Sequence, residues 1–206
     1  MTLRSKKPRP LTREDKAYRD DRLFVIATED TYAPEQYFDI FRDPRVHVRI
    51  LPTEDGRSAP QHVLTRLDEY VKEFELTEDD ERWLMLDTDH WVKPKHIANF
   101  NLVCAQATQK RFNLAHSNPC FEIWLLLHVT DLEAGDQFAR ADEVIQRLKD
   151  TLGGYNKRHI DPQHFSLESA AVAVRRAEKL DQPPGNRWPQ KTGSHVYQIV
   201  KKLLPR

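Results

Sequence analysis

Two short apolar runs constrain what this chain can fold into more than any other feature of its sequence. Residues 23–27 and 83–86 contain only apolar side chains, and both runs are too short for a typical helix. Such runs are typical of strands that are covered on both faces. Stretches with the apolar spacing of amphipathic helices lie between and after them. Strands that alternate with helices predict an α/β fold, with a mainly parallel sheet flanked by helices.

The other elements are predicted from the spacing of apolar residues and from residues that typically begin a helix. Residues 46–51 alternate apolar and polar side chains, which predicts a strand with one wetter face. Ser58 is followed by Pro60 and Gln61, so Ser58 is the predicted N-cap of a helix. A fourth strand is predicted over residues 112–115, and further helices over residues 34–41, 93–109, 120–129 and in three segments between residues 138 and 203.

The chain divides into three predicted parts. Residues 1–22 are rich in Lys and Arg and poor in apolar side chains, which predicts a loosely ordered basic arm. Residues 23–130 form the predicted α/β core, and residues 131–206 a mainly helical C-terminal extension that packs on it. The net charge is +0, but both ends are basic and the middle is acidic. This distribution suits a protein that contacts phosphate with its termini and holds a metal ion in its centre; simple solvation of charged tails is the alternative.

Composition favours a cytoplasmic protein. No apolar run approaches the roughly 18 to 20 residues of a membrane span, and the N-terminus lacks the apolar segment of a secretory signal. The two cysteines, Cys104 and Cys120, do not make a disulfide framework. We therefore expect a cytoplasmic location and no membrane contact.

Acidic side chains follow two of the predicted strands. Glu29 comes after the first strand, and Asp87 and Asp89 come directly after the third. Residues two apart in an extended chain point the same way, so Asp87 and Asp89 can face one ion together. The carboxyl ends of parallel strands meet at one edge of a sheet, where ligands bind. A few carboxylates at this edge suit Mg²⁺ or Mn²⁺, because hard cations prefer oxygen ligands.

The same acids also allow simpler interpretations. An Asp-x-Asp sequence occurs by chance in exposed loops, and Glu29 could be an acid that a helix dipole stabilises at a helix N-terminus. The 9 histidines suggest zinc, but none has a strong ligand spacing with a cysteine, so zinc is disfavoured.

The turn from Asn118 to Glu122 opens an apolar helix. It combines a capping residue, a first-turn proline and an acid. The N–H groups at this helix start would point towards the same edge of the sheet and could receive a phosphate. The alternative is plain capping, with Phe121, Trp124 and Leu125 in the core.

The sequence resembles the RloB-like family. The strongest match is the string SNPCFEIWLLLH of residues 117–128, which follows the Asp-x-Asp as it does in the family. Residues 24–38 match a second segment, with Glu29 at the glutamate of the family, and residues 84–90 carry the Asp-x-Asp. Weaker matches are residues 155–157 and 189–192.

This resemblance implies a Toprim-type (Rossmannoid) domain, which uses one glutamate and an Asp-x-Asp to bind Mg²⁺ for making or breaking phosphodiester bonds. It implies that Glu29, Asp87 and Asp89 are metal ligands and catalytic residues, with Glu122 as a fourth acid. The chain departs from the family at Asp30, where a glycine is usual. Asp30 is then either an extra ligand or the mark of an altered site, since glycine lets a phosphate approach the backbone.

The resemblance also implies a partner and a setting. RloB-like proteins are similar to the nuclease half of two-component anti-phage systems that act by abortive infection. The other half of such a system is an SMC/ABC-like ATPase.

These observations lead to the hypothesis of magnesium-dependent cleavage of nucleic acid. Glu29 would share a second metal or transfer protons, and Lys157 would neutralise charge on the transferred phosphate. The substrate would be DNA or RNA, with tRNA among the RNAs. Further predicted contacts to phosphate are Asn118, Arg158, Lys191 and, on the basic arm, Lys6, Lys7 and Arg9.

Two rival hypotheses remain. The first is a non-catalytic regulatory subunit that binds metal or nucleotide within an ATPase complex, which the altered residue after Glu29 favours. The second is a phosphoryl-transfer enzyme that acts on a small molecule, which the acidic middle of the chain would tolerate.

Overall fold

A parallel sheet extended by one antiparallel strand forms the centre of the molecule. The computed structural model describes residues 6–10, 21–54, 56–133 and 135–205. The strands are β1 (Arg22–Thr28), β2 (Val46–Leu51), β3 (Glu81–Asp87), β4 (Asn113–Asn118) and β5 (Gly193–Ser194). Their spatial order is β2-β1-β3-β4-β5; the first four strands are parallel, and β5 is antiparallel to β4.

Helices follow the strands in the alternation that the sequence predicts. They are α1 (Ala33–Phe38), α2 (Pro60–Glu73), α3 (Ile97–Gln109), α4 (Glu122–Val129), α5 (Ala141–Leu152), α6 (Leu167–Leu180) and α7 (Val196–Leu203), with a 3-10 turn at Pro162–His164. The predicted α/β fold with a helical C-terminal extension is therefore confirmed. No helix in the described part of the chain is long and apolar enough to cross a membrane.

Strand β1 is covered on both faces, as its apolar run predicts. Phe24 and Ile26 pack into a cluster with α1 and α4 to α7, whereas Leu23, Val25 and Ala27 pack into a second cluster with α2 and α3. All five side chains are buried. Helices α5, α6 and α7 share the first cluster with α1 and α4, so the C-terminal extension completes the core on that face of the sheet.

The start of α2 differs from the prediction. Helix α2 begins at Pro60 and the residue before it is Ala59, without a side-chain capping hydrogen bond, so Ser58 is not its N-cap. Proline suits the first helical position because its φ is fixed and its missing N–H has no partner there anyway. The proline, rather than the serine, marks this helix start.

The starts of α3 and α4 also lie beyond the predicted positions, at Ile97 and Glu122. The residues before them form turns that bond to each other. The backbone N–H groups of Thr88 and Asp89 donate to the Pro119 carbonyl at 3.2 and 3.1 Å. The turn after β3 is thus tied to the turn after β4, which brings the two strand ends together.

Strand β5 was not predicted, because two residues carry no periodicity. It lies beside the end of β4, where Ser194 pairs with Ser117 and Gly193 pairs with Asn118. The Ser117 and Ser194 hydroxyl oxygens are 2.8 Å apart in a hydrogen bond. The C-terminal extension therefore contributes a strand to the sheet as well as helices to its face.

Candidate metal centre at the carboxyl edge of the sheet

Acidic side chains gather at the edge of the sheet where β1, β3 and β4 end. Asp87 is the last residue of β3, and its pKa is raised well above its usual value. Burial is the largest cause, and neighbouring negative charges raise the pKa further. Those charges belong to Glu29, Glu122, Asp89 and Asp30. The structure thus brings together the four predicted acids and adds Asp30; we call these five residues the acidic cluster.

Asp87 is the least compensated member of the acidic cluster. Its backbone N–H donates to Glu29 Oε1 at 3.3 Å, but its carboxylate accepts no hydrogen bond from the residues that the structure describes. The buried hydroxyl of the next residue, Thr88, also has no hydrogen-bond partner among the described residues. A buried carboxylate without donors is costly unless a cation or a proton compensates it.

Glu29 is held from two sides. Its Oε1 accepts from the Asp87 backbone, and its Oε2 accepts from the Trp91 indole Nε1 at 3.0 Å. Burial raises the pKa of Glu29 to about 8, since these hydrogen bonds offset only part of the cost of desolvation and the Asp89 charge adds to it. Glu29 can therefore exchange a proton close to neutral pH. Trp91 was not predicted as a site residue, since an indole in a turn carries no sequence signal of its own.

Asp89 is partly exposed, with 30% of its side chain accessible to water. Its Oδ1 is paired with the His90 ring Nδ1, and the His90 ring lies 4.2 Å from the Trp91 ring between centroids. His90 thus bonds to one carboxylate oxygen of Asp89, and Trp91 bonds to one carboxylate oxygen of Glu29.

The Asp30 side chain accepts three hydrogen bonds, at the position where the sequence resemblance implies a glycine. Its Oδ1 accepts from the backbone N–H groups of Tyr32 and Ala33 at 2.6 and 3.1 Å, which satisfies donors at the start of α1. Its Oδ2 accepts from Lys157 Nζ at 3.3 Å. Asp30 therefore gives the turn a cap and gives the acidic cluster a link to a cation.

Lys157 reaches the acidic cluster from the segment between α5 and α6. Burial lowers its pKa, but the charges of Asp30, Glu122 and Asp87 outweigh that effect and raise it. Tyr155 from the same segment donates from its hydroxyl to Glu122 Oε1 at 3.3 Å. The structure thus places the predicted residue Lys157 beside the acidic cluster, and it adds Tyr155.

Arg66 of α2 is a second cation that sequence reasoning missed. It donates from Nη2 to the Thr28 carbonyl at 2.7 Å and to Thr53 Oγ1 at 2.9 Å. Its charge lowers the pKa of Glu29, although less than burial raises it. The sequence does not predict that Arg66 approaches the end of β1, because it lies within a helix among apolar residues.

The predicted phosphate contacts near this edge have different surroundings. Asn118 ends β4 and donates from Nδ2 to the Pro189 carbonyl at 3.0 Å, so its side chain fixes the approach to β5 instead of capping α4. Lys191 is exposed two residues before β5, beyond the end of β4. Arg158 lies over the Tyr32 ring, 5.3 Å from its centroid.

The described residues of the basic arm, Lys6 to Pro10, lie at the opposite edge of the sheet. Arg9 bonds to the Asp21 carbonyl and to buried Asp80, which precedes β3. Lys6 and Lys7 bond to residues in the last turn of α2, Lys6 to the Val71 carbonyl and Lys7 to Glu73. The structure therefore does not bring Lys6, Lys7 or Arg9 to the acidic cluster. The rest of the arm, residues 1–5 and 11–20, lies outside the described residues.

The donor chemistry of this edge fits a hard divalent cation better than zinc. Carboxylate oxygens dominate the acidic cluster, and the Asp87 carboxylate accepts no hydrogen bond from the described residues. Within the described ranges, no group of three His, Cys, Asp or Glu side chains is spaced as the ligand shell of one ion. Mg²⁺ commonly binds through one or two carboxylates and keeps several waters, so Asp87 and Asp89 could hold it with Glu29 beside them. Cys104 and Cys120 are free and buried.

Comparison with known proteins gives one match. The family described as RloB-like protein matches residues 24–203, which include every strand except the first two residues of β1 and every helix of the sheet domain and its extension. No curated protein and no solved structure matches the chain. Because the match covers far more than half of the sequence, the chain belongs to the RloB-like family.

Proposed function

We propose that this protein is a metal-dependent nuclease of the Toprim type, which hydrolyses phosphodiester bonds of nucleic acid with Mg²⁺ or Mn²⁺. The observation that carries the proposal is Asp87, a partly buried carboxylate with a raised pKa, no hydrogen-bond donor among the described residues and four other acids around it. Such a group is expensive in a folded protein unless a cation binds there. Family membership supports the same assignment through the matching glutamate and Asp-x-Asp segments.

The side chains of the centre have separable roles in this proposal. A divalent ion held by Asp87 and Asp89 would neutralise phosphate charge and favour ionisation of an attacking water. Glu29, with a pKa of about 8, would take a proton from water or give one to the leaving oxygen near neutral pH. Lys157 would bind a non-bridging phosphate oxygen, and Glu122 would orient Tyr155 and the loop that carries Lys157.

The test combines three substrates with two ions. The protein is incubated with tRNA, single-stranded RNA and plasmid DNA in Mg²⁺ or Mn²⁺, alone and with an SMC/ABC-like ATPase partner. We expect Asp87→Asn to lower the cleavage rate by at least about 100-fold, as loss of a principal catalytic group does. Asp150→Asn, an exposed acid on α5, is the matched control and should leave the rate unchanged.

The second candidate function is a regulatory subunit that binds metal or nucleotide without cleavage. Its support is that Trp91 and His90 already contact Glu29 and Asp89 and would have to move to free those oxygens. Absence of cleavage with every substrate and partner, together with Mn²⁺ binding that Asp87→Asn abolishes, would favour this regulator over the nuclease.

The biological setting is proposed on family resemblance alone. It is the effector role in a two-component anti-phage system with an ATPase partner. Co-purification of the chain with a co-expressed ATPase tests the partnership directly; two proteins that migrate separately in size-exclusion chromatography would count against it.

A further inference from the structure

The segment between α5 and the 3-10 turn, residues 155–160, carries two side chains to the acidic cluster. The Tyr155 hydroxyl donates to Glu122 and Lys157 Nζ donates to Asp30, each at 3.3 Å. This segment contains no helix or strand. Its position must therefore be fixed by contacts from other elements.

Ile160 and Tyr155 anchor the segment in the core, and Gln36 of α1 bonds its backbone with both ends of its amide. Its Nε2 donates to the Lys157 carbonyl at 3.1 Å, and its Oε1 accepts from the Ile160 backbone N–H at 3.0 Å. Nε2 also donates to the Tyr32 carbonyl at 3.0 Å. One side chain thus joins the backbone of residues 155–160 to the turn that begins α1.

Helix α1, which carries Gln36, is itself held in place by buried side chains. The two residues after Gln36, Tyr37 and Phe38, are buried in the core with exposed fractions of 0% and 2%. The Tyr37 hydroxyl also bonds to the His128 ring at 3.2 Å. Gln36 therefore holds residues 155–160 against an element that is itself packed on the sheet.

The ion pair to Asp30 would not fix Lys157 without this support. The Lys157 side chain is 51% exposed, and exposed ion pairs contribute little because water screens them and a long side chain must be ordered. The place of the ammonium group thus depends on the place of the Lys157 backbone, which Gln36 bonds.

We propose that Gln36 is a positioning residue: by bonding the backbone of residues 155–160 it holds the Lys157 ammonium at the acidic cluster, ready to bind a phosphate group of a nucleic acid. An ammonium group has three N–H donors, and Asp30 accepts from one, so two remain for phosphate oxygens. The identity of the ligand rests on the proposed function. The placement of Lys157 by Gln36 does not.

Two substitutions of Gln36 separate the role of its amide N–H donor from that of its amide oxygen. Gln36→Met removes the donor and the acceptor at similar length, whereas Gln36→Glu keeps an acceptor for Ile160 and loses the donor to the Lys157 carbonyl. Gln146→Met is the matched control, because Gln146 is an exposed glutamine on α5 whose amide donates only to Asp150 among the described residues. The Gln36 side chain is partly exposed, so the fold should survive both changes.

The first measurement is the acetylation rate of Lys157, followed by mass spectrometry of the metal-free protein. We expect Gln36→Met to speed the reaction about threefold, the population change that a weak ion pair corresponds to. Gln36→Glu should speed it less, and Gln146→Met should leave it unchanged. An unchanged Lys157 rate in both Gln36 variants would overturn the proposal, whether or not the protein cleaves nucleic acid.

The second measurement connects this placement to substrate. In cleavage of a single-stranded oligonucleotide, Gln36→Met and Lys157→Met should each raise KM, and the double variant should be no worse than Lys157→Met, because residues that act as one unit are not additive. Mn²⁺ affinity measured by electron paramagnetic resonance should stay the same in Gln36→Met. Additive effects in the double variant, or a loss of Mn²⁺ binding equal to that of Asp87→Asn, would contradict the proposal that Gln36 acts by positioning Lys157.

Discussion

Glu29 and Asp87 are unusual at the scale of single residues because the fold raises the pKa of both. Asp87 follows four buried residues, Trp83 to Leu86, at the end of β3, so the chain itself draws the carboxylate into a partly buried position. A group whose pKa is raised on folding destabilises the native state once the solution pH allows the unfolded chain to ionise it. The acidic cluster therefore costs stability in the metal-free protein.

This cost predicts a particular dependence of stability on pH. Below about pH 4.5 Glu29 is protonated in both the folded and the unfolded protein. Between pH 4.5 and its folded pKa of about 8, Glu29 releases its proton only in the unfolded chain. The free energy of unfolding of the metal-free protein should thus fall as pH rises from 6.5 to 8, by about 1 kcal/mol per pH unit. Urea unfolding in EDTA at several pH values measures it.

Above pH 6.5 the change in the free energy of unfolding comes from the acids and not from the buried histidines. Burial lowers the pKa of His116 and of His128 to about 3, so they reduce stability only as pH falls from 6.5 towards 3. Glu29→Gln should flatten the decline above pH 6.5 without abolishing it, because the pKa of Asp87 is also raised. Stability of the unsubstituted protein that stays level or rises from pH 6.5 to 8 would show that Glu29 ionises normally.

At the scale of elements, the turns after the strands decide how the acids are arranged. The N-cap residue of α1 is Tyr32, which has no side-chain capping bond; Asp30 instead caps the turn before the helix by accepting from the Tyr32 and Ala33 N–H groups, and it also bonds Lys157. Asp30→Ala should cost about 1 kcal/mol in urea unfolding, the usual cost of removing a cap. Asp30→Asn should cost much less, because its amide oxygen still accepts from the turn while the ion pair is lost.

The comparison of these two variants separates the cap from the ion pair. Equal destabilisation by Asp30→Ala and Asp30→Asn would mean that the exposed ion pair, not the cap, is the stabilising contact. That result would contradict the small value expected for a lysine that is half exposed.

The same turns mark the limit of what sequence could predict. The strand runs and the acids at their ends were predictable, because period and burial are local properties of the chain. Trp91, Arg66 and Gln36 were not, since each reaches the centre through a turn or a helix face that only tertiary packing orients. Strand β5 was missed for a related reason: its two residues form a strand only by pairing with Ser117 and Asn118 at the end of β4.

At the scale of the whole molecule, the sheet separates two groups of basic residues. Lys6, Lys7 and Arg9 lie at the amino edge, where Lys7 and Arg9 are paired with Glu73 and Asp80. Arg158 and Lys191 lie at the carboxyl edge with the acidic cluster. Lys6, Lys7 and Arg9 are therefore at the wrong edge to hold a phosphate at the proposed metal centre.

This separation predicts which substitutions change the salt dependence of nucleic-acid binding. Each phosphate contact to a single strand contributes about 0.7 to the slope of log affinity against log salt concentration. The double variant Arg158→Gln with Lys191→Gln should lower this slope by about 1.4 and weaken binding, because two phosphate contacts are lost. Fluorescence anisotropy with a labelled single-stranded oligonucleotide, titrated between about 50 and 200 mM KCl in Ca²⁺ to prevent cleavage, measures the slope.

The matched control is the double variant Lys6→Gln with Lys7→Gln, which removes the same charge from the opposite edge. Arg9 is left intact because its guanidinium bonds buried Asp80, and its loss would disturb the fold. Since the arm lies away from the acidic cluster, this control should leave the slope unchanged. The reverse pattern, a slope that falls with the arm variant and not with Arg158 and Lys191, would place the nucleic acid at the amino edge and separate its binding from the proposed metal centre.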